Sequence, residues 1–271
     1  MNFKFYTLII TLNIFAFASC YTQMIHEFQD SLSELNRANE DTLVVFDIDR
    51  TLIIPKDPAF DCLTYIDQAI QNYYKTKRAI NNYSKAYKAA LYHEHVLMED
   101  YIPQILESLQ MKNVKTIALT SVGTQRDNLI PDMGVLRFNQ LNKLGINFNR
   151  KFEWLDLTLN RLPKVSKTYP EFSYGILMTN YIEKGVVLIE LLKLLNWIPK
   201  RVIFFDDLLH NIMSVEEHLR QYSKTTKTDI EFIGYNYIRA EMLDRRIDQK
   251  IIKLQINFLL KKGIWISADQ F

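Results

Sequence analysis

Three short apolar runs with no polar alternation constrain this chain most: Leu43-Val44-Val45-Phe46, Ile117-Ala118-Leu119 and Val202-Ile203-Phe204-Phe205. A strand with one wet face alternates, whereas a strand covered on both faces reads as a continuous apolar run, as in a parallel sheet flanked by helices. Ile230 to Tyr235 reads as a fourth such strand. Between the runs, residues 62–110 lack glycine and read as helices, with Pro103 near the first turn of the last one, and Gly185 to Asn196 reads as a strongly apolar helix. Ile25, Phe28, Leu32 and Leu35 recur at helical spacing and predict an opening helix over Ile25 to Leu35. Phe172 to Tyr181 alternates loosely, which predicts a hairpin. This rhythm of strands and helices predicts an α/β chain with a three-layer, Rossmann-like fold and a central parallel sheet.

Composition removes several classes. With 48% hydrophobic residues in 271, the chain can bury a sizeable core, so it is not a disordered chain, and 7 glycines and 7 prolines exclude collagen-like and low-complexity classes. The formal charge of +2, from 33 Lys+Arg against 31 Asp+Glu, gives no overall electrostatic case for nucleic acid, so any anion site must be local. The 2 cysteines cannot build a disulfide scaffold or a four-thiolate zinc site.

The amino terminus follows a different logic. Lys4 precedes an uncharged, mostly apolar run from Phe5 to Cys20 that ends in Ala16-Phe17-Ala18-Ser19, so residues 1–19 read as a signal peptide with cleavage after Ala18. A retained anchor and a buried helix are the alternatives, although the run is short beside the about 20 residues of a membrane span. Phe17-Ala18-Ser19-Cys20 is also similar to a lipoprotein cleavage box, with Phe where Leu is usual. The chain is thus expected to be exported, to the periplasm or outside the cell, and to meet a membrane only if Cys20 is lipidated or the signal retained. An unlipidated Cys20 could pair with Cys62 in an oxidising compartment, or Cys62 is simply a small buried side chain.

Each apolar run ends in polar chemistry: Asp47 and Asp49 after the first, Thr120 and Ser121 after the second, Asp206 and Asp207 after the third. In open parallel sheets, ligands bind in the crevice beyond the carboxyl ends of the strands. Carboxylates crowded there repel one another, and a bound cation relieves this. A hard, oxygen-seeking ion such as Mg2+ suits the donor set, since it is commonly held by one or two carboxylates plus substrate phosphate.

Val44-Val45-Phe46-Asp47-Ile48-Asp49-Arg50-Thr51-Leu52 resembles the first motif of the haloacid dehalogenase (HAD) superfamily, an apolar strand followed by D-x-D-x-T. Ile117-Ala118-Leu119-Thr120-Ser121 resembles the second motif, Lys184 at the start of a helix the third, and Val202-Ile203-Phe204-Phe205-Asp206-Asp207 with Asn211 the fourth. The order is the family's, and the resemblance covers about residues 42–235. A narrower resemblance, through Ala118-Leu119-Thr120-Ser121 and a tail like Asn257 to Trp265, is to a group of uncharacterised bacterial exported HAD-like proteins.

The resemblance implies a phosphatase. Asp47 is then the nucleophile that forms an aspartyl-phosphate, and Asp49 the general acid and base. Thr120 and Ser121 bind the phosphoryl oxygens, Lys184 neutralises their charge, and Mg2+ rests on Asp47, the backbone carbonyl of Asp49, and Asp206. Asp207 supports Lys184 or the metal's waters, and Asn211 orders the loop after the third strand. Arg50 stands where many relatives have Gly, with its side chain expected to point away. A phosphotransferase or mutase, and a non-catalytic envelope protein that keeps only the fold, remain alternatives to hydrolysis.

Core motifs fall at about 42–54, 114–121 and 184–211, within a HAD-like domain spanning 20–271. A small, mainly helical cap insertion over about 58–100 and a second insertion over about 124–181 supply specificity. A lid carrying Phe60, Tyr65, Tyr73 and Tyr74 favours a small-molecule phosphate ester as partner. His93-Glu94-His95 invites a metal reading, but on a helix i and i+2 do not share a face. Arg126 reads as a helix-surface ion pair, and Tyr73 to Tyr92 as an amphipathic helix rather than a nucleic-acid surface.

Overall fold

The computed structural model describes residues 20–62, 92–126, 131–152, 155–243, 248–262 and 264–270. Strand β1 (Cys20–Ile25) leads through a 3-10 turn (Phe28–Ser31) and helix α1 (Leu32–Arg37) to β2 (Thr42–Phe46). Strands β3 (Ile53–Pro55) and β4 (His95–Leu97), helix α2 (Ile102–Met111), β5 (Lys115–Thr120) and α3 (Met133–Asn142) follow. After β6 (Leu157–Thr158), β7 (Glu171–Ser173) and β8 (Ile176–Met178) come α4 (Lys184–Leu194), β9 (Arg201–Asp206) and α5 (Leu209–Thr226). The chain continues into β10 (Glu231–Tyr237), α6 (Arg239–Met242) and α7 (Gln249–Lys262).

The central sheet runs β1-β10-β9-β2-β5-β8-β7-β6 among the described residues. The strands from β1 to β8 in that order pair in parallel, while β7 and β6 add antiparallel at one edge. Its two faces explain the apolar runs. Val44 and Phe46 join Ala118, Ile203 and Phe205 in a core covered by Leu106 and Phe148 on one side. Leu43 and Val45 join Ile117, Leu119, Val202 and Phe204 under Leu188, Leu191 and Val215 on the other. Successive side chains point to opposite faces, and both faces are buried, so apolar residues predominate at both, and the buried polar ones in β2 and β5 are threonines. The result is a three-layer, Rossmann-like α/β fold.

Local chemistry explains two features that place the site. Tyr174 (φ 54°) and Gly175 (φ 73°) turn the β7–β8 hairpin with positive φ at both central residues, the conformation that a two-residue hairpin favours. At Gly185 a Cβ would come within 2.3 Å of the Ser214 carbonyl oxygen, so glycine lets α4 lie against α5 immediately after Lys184.

The opening segment departs from the expected helix over Ile25 to Leu35. Ile25, Phe28 and Leu35 are buried as their spacing implies, but they belong to successive short elements. Cys20–Ile25 pairs in parallel with β10, and only Leu32–Arg37 is α-helical. Strand pairing satisfies the backbone there as a helix would, so apolar spacing alone did not discriminate. His95–Leu97, within the stretch read as helices, is instead a strand paired with β3, whose two strands lead into and out of residues 63–91. The helices, the lid tyrosines Tyr65, Tyr73 and Tyr74, and the amphipathic stretch from Tyr73 expected there lie outside the described residues, as does the signal peptide over 1–19. Phe60 is described, and its ring stacks on His93 at 4.3 Å and packs on Trp265 at 4.4 Å.

Candidate active site

Sheet register brings the acidic strand ends together. Phe46 of β2 lies opposite Phe205 of β9, so Asp47 and Asp206, one residue on in each strand, emerge side by side. The Asp47 N–H donates to the Phe205 carbonyl at 2.8 Å, which carries the pairing to the edge of the site. On the other side Phe46 pairs with Ala118, and Thr120 and Ser121 stand at the end of β5. Thr120 is buried, and its carbonyl accepts from the Thr179 N–H at 3.0 Å. Ser121 Oγ lies 3.3 Å from Thr179 Oγ1.

Lys184, the first residue of α4, is only 2% exposed, and its ammonium bridges the two aspartates. Nζ donates to Asp47 Oδ1 at 2.5 Å and to Asp206 Oδ2 at 2.7 Å. The other Asp206 oxygen accepts from the Leu208 N–H and from Asn211 Nδ2, both at 2.9 Å, so Asn211 orders the loop through Asp206. Thr51 Oγ1 lies 3.4 Å from Asp47 Oδ2. These bonds fix both carboxylates in rotation and aim them into one space.

Two arginines complete the arrangement, and sequence reasoning missed both. Arg50 does not point away: its Nε donates to Asp207 Oδ2 at 3.1 Å. Its φ of 65° lies in the left-handed region that glycine occupies without a Cβ clash, which is why glycine would suit the position. Asp207 is therefore held by Arg50 rather than hydrogen-bonded to Lys184. Arg137, from α3, forms a charge-assisted hydrogen bond to Asp49 Oδ2, and its other terminal nitrogen donates to Gln140 Oε1 at 3.1 Å. Neither pairing had a local signal, because the partners lie 157 and 88 residues apart.

The electrostatics follow from burial. Burial raises the Asp47 carboxyl well above its usual range, and the neighbouring Asp206 and Asp49 charges add to this against the pull of Lys184. Burial alone would lower Lys184, but Asp47 and Asp206 together outweigh it, and the ammonium is held more firmly than in water. Asp207 is raised to about 6, chiefly by burial and then by the Asp206 charge, with Arg50 and Lys184 opposing.

Carboxylate oxygens of Asp47, Asp206 and Asp207 lie within 4.8 Å of one another, the one such cluster of metal-competent side chains among the described residues. Three carboxylates against Lys184 and Arg50 leave an excess of negative charge, and all the donors are hard oxygens, so the residues fit a hard divalent cation. Asp207 joins this cluster where sequence reasoning gave it a supporting place, whereas the Asp49 carboxylate is engaged by Arg137.

The other candidates resolve differently. His95 opens strand β4 and His93 lies just before it, so neither is on a helix, and their rings stand 4.2 Å apart. His93 stacks on Phe60, and neither histidine belongs to a metal-competent cluster among the described residues. Arg126 makes its ion pairs not along a helix but with Glu171 of β7 at 3.2 Å and Asp132 at 3.8 Å. Cys20 is a free, exposed thiol, and the side chain of Cys62 lies outside the described residues.

Fold and site together define a three-layer α/β protein with a buried lysine–carboxylate centre at the carboxyl edge of a parallel sheet. The chain belongs to the family described as "Protein of unknown function (DUF2608)", which matches residues 23–270. It is similar to an uncharacterized protein of Rickettsia prowazekii (strain Madrid E), with 29% identity over 258 residues that cover 92% of this chain and 90% of the relative. An uncharacterized protein of Rickettsia bellii (strain RML369-C) is 28% identical over 228 residues, covering 80% of this chain and 75% of that one. No solved structure gives a significant match. Among the described residues, no helix is long and apolar enough to cross a membrane.

Proposed function

We propose that this protein is a HAD-type, Mg2+-dependent phosphomonoester hydrolase that works through an aspartyl-phosphate. The single observation that carries the reading is the contact of Lys184 with both Asp47 and Asp206 in a buried setting, with Asp207 beside them. A lysine buried against two aspartates is costly to desolvate, and burying it there is worthwhile where an incoming dianion needs a fixed positive charge.

Asp47, Asp206 and Asp207 are the side chains that would hold Mg2+, together with the Asp49 carbonyl that the family resemblance implies. The ion supplies charge neutralisation and orientation for the phosphoryl group. In the first half-reaction an Asp47 carboxylate oxygen attacks phosphorus, the ester P–O bond breaks, and the leaving oxygen takes a proton from Asp49. In the second, Asp49 takes a proton from water, the water oxygen attacks phosphorus, and the bond to Asp47 breaks to release inorganic phosphate. Lys184 stays protonated throughout beside the charge that develops on the phosphoryl oxygens, and the hydroxyls of Thr120 and Ser121 donate to them.

The test is phosphate release from a panel of small monoesters, p-nitrophenyl phosphate included, with Mg2+. Activity that disappears on chelation and falls at least about 1,000-fold in Asp47→Asn supports the reading. Activity that survives Asp47→Asn overturns it, and phosphate passed to an added alcohol faster than to water points instead to a phosphotransferase. Export belongs to the same proposal and rests on the apolar run from Phe5 to Cys20. A mature protein beginning at Ser19, or at a lipid-bearing Cys20, is the expected mass, and an intact chain confined to the cytoplasm would contradict export.

A further inference from the structure

A cavity of about 510 Å³ lies between the β4 hairpin and α3, with Tyr92, His93 and His95 on one wall and Asn139, Gln140 and Lys143 on the other. Its size falls in the range of small-molecule sites, about 300–1,000 Å³. It is linked to the carboxylate centre by a short chain of contacts: Gln140 on its wall accepts from Arg137, and Arg137 donates to Asp49. Arg137 is 12% exposed and its Nε has no hydrogen-bond partner among the described residues, whereas Asp49 is 46% exposed. The arginine therefore backs the carboxylate from inside while Asp49 stays open to a ligand.

We propose that this cavity receives the leaving group of the phosphate ester, and that this group is uncharged and rich in hydroxyls, of the monosaccharide or polyol class. The proposal rests on the phosphatase reading for the site that adjoins it. The wall chemistry selects the class. The amides of Asn139 and Asn142 each carry both a donor and an acceptor, as a vicinal diol does. The charged groups around it offset one another: Glu94 is paired with Lys56 at 2.9 Å and lies in the field of Lys143, while Arg126 is shared between Asp132 at 3.8 Å and Glu171 at 3.2 Å. They hold no excess charge for an anionic or cationic leaving group. Burial, with the nearby charges of His93 and Arg137, lowers His95 to about 4 against the opposing pull of Asp49, so its imidazole is neutral near pH 7 and adds no charge to this wall. Tyr92, 53% exposed, brings an aromatic ring to the lining. Among the described residues, the aromatic side chains that line this space, Tyr92, His93 and His95, all come from one wall, whereas a nucleobase would favour opposed aromatic walls.

The experiment compares kcat/KM for glucose 6-phosphate, glycerol 3-phosphate, adenosine 5′-monophosphate and p-nitrophenyl phosphate, in the parent protein and in Asn139→Leu and Gln140→Ala. Asn139 is exposed on α3, so its replacement tests the wall with little risk to folding. The expected result is at least a tenfold preference for a sugar or polyol ester over the nucleotide, collapsing about tenfold in each variant. Equal turnover of all esters, or a preference that survives both replacements, overturns the proposal while leaving the phosphatase reading intact. Equilibrium binding of glucose 6-phosphate to Asp47→Asn protein gives a second readout that needs no turnover. Binding weakened about tenfold by adding Asn139→Leu supports the cavity, and absence of binding overturns it. If no ester is hydrolysed at all, the phosphatase reading fails and that binding result alone judges the cavity.

Discussion

Asp49 shows how much of this site is set by a residue far away in the chain. On the proposed mechanism Asp49 gives and takes a proton, so its carboxylate must meet the leaving oxygen in one rotamer, yet it is otherwise half open to solvent. Arg137 supplies the restraint and is itself anchored by Gln140. As a positioning residue, Arg137 is expected to act on kcat. On the proposed mechanism, Arg137→Gln should lower kcat for p-nitrophenyl phosphate about 10- to 100-fold with KM within about threefold, less than the loss in Asp49→Asn, which would remove the proposed proton donor itself. Arg137→Lys should restore part of it, because an ammonium can still meet one carboxylate oxygen. A large rise in KM with kcat unchanged would instead assign Arg137 to substrate binding. The Asp47, Asp206 and Lys184 positions were legible in sequence because each sits at the end of an apolar strand or the start of an apolar helix. Arg137 and Arg50 were not, because each is an ordinary surface-type residue whose partner is chosen by tertiary topology.

At the level of elements, the apolar runs revealed the central strands well, since two-sided burial leaves a local record in every residue. Short edge elements leave less. The β1 strand has one buried residue, Ile25, at its end, and its spacing to Phe28 mimics a helix. The β4 hairpin has the same ambiguity, and its His95 gives it a pH dependence. Burial, then the charges of His93 and Arg137, hold the folded-state pKa of His95 near 4, with Asp49 opposing. The unfolded chain titrates near 6.5, so below that pH it binds a proton that the fold refuses. Stability from this group is complete above about 6.5 and is lost as pH falls towards 4, at no more than roughly 1.4 kcal/mol per pH unit. Thermal unfolding between pH 7.5 and 4.5 should therefore decline less steeply in His95→Gln than in the parent, and parallel curves would show that His95 ionises freely in the fold.

Across the whole molecule, the carboxyl-terminal segment closes on the base of the β3–β4 hairpin through one buried aspartate. Asp57 Oδ2 accepts from Gln255 Nε2 at 2.7 Å, Trp265 Nε1 at 3.0 Å and the Ala268 N–H at 3.2 Å, while Oδ1 accepts from the Ala59 N–H at 3.0 Å. Phe60 packs between Trp265 and His93, so the tail, the chain leading to residue 63 and the chain arriving from residue 91 meet at one point. No sequence pattern announces this meeting, because its partners lie about 200 residues apart and each is a common residue type. Removing the acceptor strands several buried donors at once, at a cost of about 2–4 kcal/mol. Asp57→Ala should lower Tm by roughly 5–10 °C, on the scaling for chains of this size. In a background where Trp154 and Trp197 are phenylalanine, the same change should shift Trp265 fluorescence to the red as its ring leaves Phe60. Asp57→Asn, which keeps an acceptor oxygen, should lie between the two. A Tm drop without a spectral shift would mean that Asp57 stabilises the hairpin but does not hold the tail, since a released tail cannot leave its tryptophan in an apolar setting.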